Sequence, residues 1–223
     1  MSIFAAAAFI PAFCQQYTPR ETWPFIYEEF QNGSTRTLSG DLITEAKFNI
    51  SANGGKLLYV GKDNIIMIPN MSNVYAAKVG DDVYVNIDGR MYLLLSELDC
   101  GLVVCGYDVD VDKMAKADIG YGKSSVASTQ NLSVLAIDGG SMTNKSLDSM
   151  ASNKYEGQEL PLKQTYYLYY GKILTRATRQ EVMKIPGIDS KSAKDFFKQE
   201  KIRWKDTVSL EKVLVFINSQ ISK

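Results

Sequence analysis

Residues 34–112 are cut into short β-type runs by turn chemistry at nearly regular intervals, and few folds accept that pattern. "TRTLSG", "LITEAKFNI", "KLLYV", "IIMI", "VYAAKV", "DVYVNI", "RMYLLLSE" and "CGLVVCG" are rich in β-branched and aromatic residues. Between them stand Ser39-Gly40-Asp41, Asn53-Gly54-Gly55, Gly61-Lys62-Asp63-Asn64, Gly80-Asp81-Asp82 and Asp88-Gly89. Asp88-Gly89 is the strongest hairpin signal, because a tight two-residue turn needs positive φ at both central positions. A spacing of about 8–12 residues predicts an antiparallel meander curled as a small barrel or sandwich. No βαβ alternation is present, so a parallel nucleotide-binding sheet is not expected.

The chain then changes character. Residues 113–164 are dominated by Gly, Ser, Asn and Asp, with one apolar patch, "SVLAI", and read as a partly disordered excursion. "TYYLYYGKILTR" predicts a last hairpin turning at Gly171-Lys172. A helical module follows. Thr178-x-x-Glu181 is a capping box ahead of a helix over 179–185, ended by Pro186-Gly187. "SKSAKDFFKQEK" places Ala193, Phe196 and Phe197 on one face of a second helix. Ser209 is expected to cap a third, with Leu210, Val213, Leu214 and Ile217 as its stripe. The fold class is therefore α+β: an antiparallel β-meander forming a small barrel or sandwich, followed by a three-helix C-terminal module. The body is 15–112, and the hairpin with its helices 165–223.

Residues 1–14 read as a signal peptide. Positions 3–13 are apolar or Pro and carry no charge, too short a run to span a bilayer but fitting the core of a secretory leader. Ala12-Phe13-Cys14 is a small-x-small cleavage signal, with Gln15 as the first mature residue. Nothing else in the chain reads as a membrane span. Once Cys14 leaves with the leader, Cys100 and Cys105 remain in one expected strand, on opposite faces, with Cα atoms about 16 Å apart. A disulfide needs about 7 Å, so both are expected as buried free thiols.

The chain holds no histidine, which excludes Ser-His-Asp and Cys-His catalysis and imidazole-ligated zinc. Lys+Arg and Asp+Glu both total 25, yet residues 15–112 carry 7 basic and 14 acidic side chains, and 161–223 carry 13 and 6. The acidic body and basic tail are expected to attract each other.

Four motifs invite a chemical reading. "ADIGYGKSS", 117–125, fits the relaxed phosphate-loop pattern, but that chemistry needs a buried strand before it and a helix starting at Lys-Ser. Here "DVDVDKMAKAD" precedes it, and only nine residues separate Lys123 from "SVLAID", so a glycine-rich loop is the better reading. Asp108, Asp110 and Asp112 alternate with valines and would put three carboxylates on one strand face, a weak Ca²⁺ candidate set against a charge-guarded edge strand. "VMKIPGIDSKSAKDFF" resembles the helix-hairpin-helix module of DNA-repair proteins, but Asp189 stands where the second Gly of that turn belongs and would repel phosphate. Lys191, Lys194, Lys198, Lys201 and Arg203 still supply a basic face. Tyr166, Tyr167, Tyr169, Tyr170 and Trp204 are candidates for a ligand-stacking surface; in a strand the tyrosines divide two to a face.

"TWPFIYEEFQNGSTRTLSGDLITEAKFNI" and the tail "YYLYYGKILTRATRQEVMKIPGID…KIRWKDTVSLEKVLVFI" together resemble a set of uncharacterised exported proteins of Gram-negative gut and environmental bacteria. The resemblance covers both ends and implies compartment and architecture, with no activity, cofactor or catalytic residue attached. The expectation is an exported, non-enzymatic binding or envelope-associated protein in the periplasm, at the outer membrane or outside the cell. Its partner would be a protein or glycan at the envelope. A carboxylate-based glycan-active enzyme is the first alternative, requiring two carboxyl groups about 5–9 Å apart. Nucleic-acid binding through the basic tail is the second, and is disfavoured by the leader.

Overall fold

The computed structural model describes residues 25–38, 42–52, 54–61, 65–68, 71–110 and 162–221. The leader, the phosphate-loop match at 117–125, Asp112 and the Gly/Ser-rich excursion lie outside the described residues.

The strands are β1 Gln31–Thr37, β2 Leu42–Ile50, β3 Leu57–Val60, β4 Ile65–Met67, β5 Val74–Val79, β6 Asp82–Ile87, β7 Arg90–Leu98, β8 Gly101–Val109, β9 Leu162–Tyr170 and β10 Ile173–Arg176. The helices are α1 Arg179–Met183, α2 Ser190–Gln199 and α3 Thr207–Ile221. The strands form one sheet in the order β10-β9-β8-β7-β6-β5-β1-β2-β3-β4, antiparallel at every pairing. It curls into a half-barrel with the three helices beside it, which is the expected α+β meander with a helical tail. The meander comes in two runs, β1–β4 and β5–β10. They are joined because β5 passes the first run and pairs with β1.

Local chemistry explains the joints. Asp88 (φ 52) and Gly89 (φ 79) hold the β6–β7 turn in the left-handed conformation that Asp-Gly favours. Gly171 and Lys172 do the same for β9–β10, with φ of 50 and 67. The jump into β5 runs through a 3₁₀ turn at Met71–Asn73. Asn86 of β6 donates its amide to the carbonyls of both Met71 and Val74, pinning that turn to the sheet. The curl is held where two hairpin ends meet: the Met91 N–H donates to Gly55 O at 2.8 Å, and Lys56 Nζ to Gly89 O at 2.7 Å.

Strand alternation divides the side chains between separate cores. On β9, Tyr166, Leu168 and Tyr170 face the helices, while Tyr167 and Tyr169 join Ile87, Tyr92 and Val104 on the opposite face. The helix side is closed by Leu210, Val213, Leu214 and Ile217 of α3, Ala193 and Phe197 of α2 and Val182 of α1, packed on Val103 and Leu168. Each fully buried aliphatic here contributes about 1.5–3 kcal/mol relative to exposure. The half-barrel has its own core around Phe48, Ile50, Leu57, Val79, Tyr84 and Met91.

Some boundaries differ from expectation. The helix α3 starts at Thr207, and its cap is Asp206, whose carboxylate accepts from the Ser209 N–H at 2.9 Å. Ser209 was the expected cap; a carboxylate three residues ahead captures that amide instead. Cys100 lies in the turn before β8 and is half-buried, whereas Cys105 is buried within the strand; both are free. The tail docks through apolar contacts. Among the described residues, the Lys184–Glu181 and Lys212–Glu200 ion pairs lie within the tail and the Arg90–Asp108 pair within the sheet.

A tyrosine–carboxylate cluster as candidate functional site

The helix-bearing face of the sheet carries polar side chains between its two large cores. They begin with Tyr27, in the segment preceding β1. That segment is bound like an extra strand: Phe25 bridges to Ser51, and the Ile26 N–H donates to Ile50 O at 2.9 Å. Asn49, fully buried, then takes both backbone groups of Tyr27. Its Oδ1 accepts from the Tyr27 N–H at 3.2 Å, and its Nδ2 donates to the Tyr27 carbonyl at 2.9 Å.

Held this way, the Tyr27 hydroxyl reaches β6. It donates to Asp82 Oδ2 at 2.6 Å and lies 2.7 Å from the Tyr84 hydroxyl. Because the single Tyr27 proton is committed to the carboxylate, Tyr84 is the donor in the second bond. The two rings meet edge to face at 6.3 Å. Further along the face, Gln164 Nε2 donates to the Tyr107 hydroxyl at 3.4 Å, and the Tyr166 hydroxyl donates to Gln164 Oε1 at 3.3 Å. The buried Cys105 lies between them on the ladder, opposite Tyr166. The Asp82 carboxylate raises the Tyr107 phenol, and ionised Cys105 or Tyr166 would raise it further, so these groups share one electrostatic neighbourhood.

Burial moves the titration of this neighbourhood further above neutral pH. Desolvation pushes Tyr27, Tyr84, Tyr107 and Tyr166 above the ordinary phenol value; at Tyr27 the hydrogen bond to Asp82 adds to it. Desolvation also pushes the Cys105 thiol up to about 11. At neutral pH the phenols and the thiol are neutral, and none is an activated nucleophile. The arrangement offers hydroxyl and amide donors and acceptors around one carboxylate.

The residues singled out from sequence fall in several places. Tyr166 belongs to this cluster. Tyr170 and Trp204 are part of the helical core, where Trp204 meets Phe197 edge to face at 5.1 Å. Tyr167 and Tyr169 lie on the other face. There Tyr167 packs edge to face on Tyr92 at 5.4 Å, both rings close over Gly106, where a Cβ would be crowded. The five aromatics therefore form no single platform. Asp108 is on that same face, 2.7 Å from Arg90, whose guanidinium also lies 5.3 Å from the Tyr92 ring. Among the described residues no three Asp, Glu or Cys side chains gather as a metal site. In the tail, Asp189 caps α2, its carboxylate accepting from the Ser192 N–H at 2.7 Å. That amide is one a phosphate would use in a helix-hairpin-helix contact; Lys191, Lys194, Lys198, Lys201 and Arg203 are exposed, but they are spread along and beyond α2, with Lys198, Lys201 and Arg203 towards its far end.

Tyr27, Asp82, Tyr84, Tyr107 and Gln164 escape sequence reasoning. Each sits at an ordinary place in a β pattern, and only the curl of the sheet brings them together. The stretch Trp23-Pro24-Phe25-Ile26-Tyr27 ahead of β1 is the one available signal.

No family model matches the chain, and no curated protein or solved structure matches it either. Among the described residues no helix is long and apolar enough to cross a membrane.

Proposed function

We propose that this is an exported, non-enzymatic binding protein of the cell envelope, and that the tyrosine–carboxylate cluster contacts an uncharged, hydroxyl-rich ligand of the glycan class. The observation that supports the reading is the set of hydrogen-bonding side chains on one sheet face, Tyr27 and Tyr84 at Asp82 and Tyr107 and Tyr166 at Gln164. Such groups exchange hydrogen bonds with neutral hydroxyls without a change of charge, and their protonation disfavours nucleophilic chemistry. The accessible members, half-buried Tyr107 and Tyr166 and exposed Gln164, are the ones a ligand would touch. Tyr27 and Tyr84 would fix the carboxylate behind them. Export is supported by the leader-like sequence at 1–14.

Titration calorimetry of the mature chain against a panel of neutral oligosaccharides tests this. Tyr107→Phe and Tyr166→Phe should each weaken binding up to about tenfold, the value of one lost hydrogen bond. Release of new reducing ends during the titration would favour the carboxylate-enzyme alternative. Binding unchanged in both variants, or absent across the panel, would sink the assignment of the site.

A further inference from the structure

The tail keeps a cationic surface that the rest of the molecule does not neutralise. Residues 161–223 carry 13 basic and 6 acidic side chains, yet they dock on the sheet through apolar contacts. Of the acids, Glu181 and Glu200 pair with Lys184 and Lys212, and Asp189 and Asp206 cap helices. Lys191, Lys194, Lys198 and Lys201 are exposed and make no ion pair among the described residues. At about 100° per residue, Lys191, Lys194 and Lys198 fall within an arc of about 60° on α2. Ala193 and Phe197 lie on the opposite side, buried in the helix–sheet core, so the lysine row faces solvent. Lys201 follows the C-cap Glu200, and Asp195 is the only acid of the helix. Two members of the row break local rules. Lys191 stands in the first turn of α2, where the helix dipole disfavours a cation. Lys201 holds φ 49, the left-handed conformation that suits glycine. The spacing of three and four residues also sets like charges beside each other, and they repel. Exposed lysines gain no packing in return, and local rules broken without such a gain point to function.

We propose that this lysine row docks the protein on an anionic lipid surface. Lysine heads are hydrated point charges on flexible stems, suited to a fluid layer of phosphate headgroups that has no fixed pattern. From Lys191 to Lys198 the row is straight and about 10 Å long, so a flat surface reaches all of it. A nucleic acid fits it less well. The row has no arginine to fork a phosphate, and Asp189 holds the amide at the helix start. The aromatic rings of α2, Phe196 and Phe197, pack on Phe216 within the tail and leave none in the row for base stacking. The row shares no residue with the tyrosine–carboxylate cluster, so either assignment can fail alone.

Cosedimentation of the mature chain with phosphatidylglycerol vesicles, with phosphatidylcholine vesicles as the neutral control, tests the proposal. Binding should appear on the anionic vesicles alone and weaken as added salt screens the charges. Each lysine at such a surface changes affinity about fivefold, so Lys191→Gln/Lys194→Gln/Lys198→Gln should lose about a hundredfold. Lys201→Gly should lose about fivefold while its melting temperature holds or rises, because glycine takes that φ without strain. That pairing separates lost charge from lost fold. Lys163→Gln, on the face of the sheet away from the helices, should bind as the wild type does. No binding to the anionic vesicles, or equal binding to the neutral ones, overturns the proposal. Full binding by the triple variant overturns it, as does a loss at Lys163→Gln equal to that at Lys201→Gly. Binding of a duplex oligonucleotide in preference to the anionic vesicles assigns the row to nucleic acid and also overturns it.

Discussion

The half-barrel and the helix-covered part of the sheet solve the same problem by different physics. In the half-barrel, polar side chains tie the backbone together across long sequence distances. Asn49 binds the Tyr27 backbone, Asn86 binds the crossover turn, and the Thr35 hydroxyl donates to Ala76 O at 3.0 Å. The helix-covered part is closed by an apolar stripe of α3 against Val103 and Leu168, and its polar bonds are mainly local caps. Directional bonds can specify one curl out of several, because a buried donor or acceptor left unpaired costs about 1–3 kcal/mol. Apolar burial stabilises more per residue but specifies less. The candidate site lies where these two constructions meet.

The largest test of this contrast is Leu214→Ala, which should cost about 2–5 kcal/mol by leaving a cavity in the helix–sheet core. Urea unfolding followed by Trp204 fluorescence in a Trp23→Phe background reports the module, and far-ultraviolet dichroism reports the whole fold. The strands β7–β9 belong to both parts, so both signals should shift together; separate transitions would break the chain into two independent units. Asn49→Ala comes next, at about 1–3 kcal/mol, since it leaves backbone groups of Tyr27 and Ile50 without their partner. Its loss should increase hydrogen exchange in residues 25–30 before the tail is affected. Asp189→Ala should cost about 1 kcal/mol through the lost cap, with exchange rising at the start of α2 alone. At neutral pH the last effect vanishes, since it appears only on the alkaline side. A thiol whose folded value is about 11, raised from 9.0, keeps its proton in the native state while the unfolded chain releases it. Stability is therefore full below about pH 9 and falls towards pH 11. The Cys105→Val chain should show a shallower fall over that window in the same unfolding assay.

Much of this fold was legible from local signals. Asp88-Gly89, Gly171-Lys172 and the Thr178 cap each act within four residues and each appears where its chemistry requires, although the other half of the expected box does not form: Glu181 pairs with Lys184, and the Thr178 N–H donates to Arg176 O. The division of Tyr166, Tyr167, Tyr169 and Tyr170 between two faces followed from strand alternation alone. What local chemistry cannot encode is partner choice at a distance. Nothing in "VYAAKV" says that β5 passes β4, β3 and β2 to pair with β1. Asp206 and Ser209 illustrate the limit at short range: both are capping residues, and the competition was decided by which one reached a free amide. The cluster was illegible for the same reason as the crossover. Tyr27 and Asp82 stand 55 residues apart, and their 2.6 Å bond exists only because Asn49 positions one and the β5–β6 hairpin the other.

The proposed function requires the phenols of the cluster to be neutral hydrogen-bonding groups, suited to holding a ligand and unsuited to attacking one. Carbon-13 labelling at tyrosine Cζ resolves the 13 tyrosines by nuclear magnetic resonance, and a titration from about pH 6 to about pH 11 spans the ordinary phenol value. Tyr27, Tyr84, Tyr107 and Tyr166 should remain protonated as the pH passes the ordinary phenol value. A phenolate forming at or near neutral pH on any of the four would contradict the account and make that residue a candidate nucleophile.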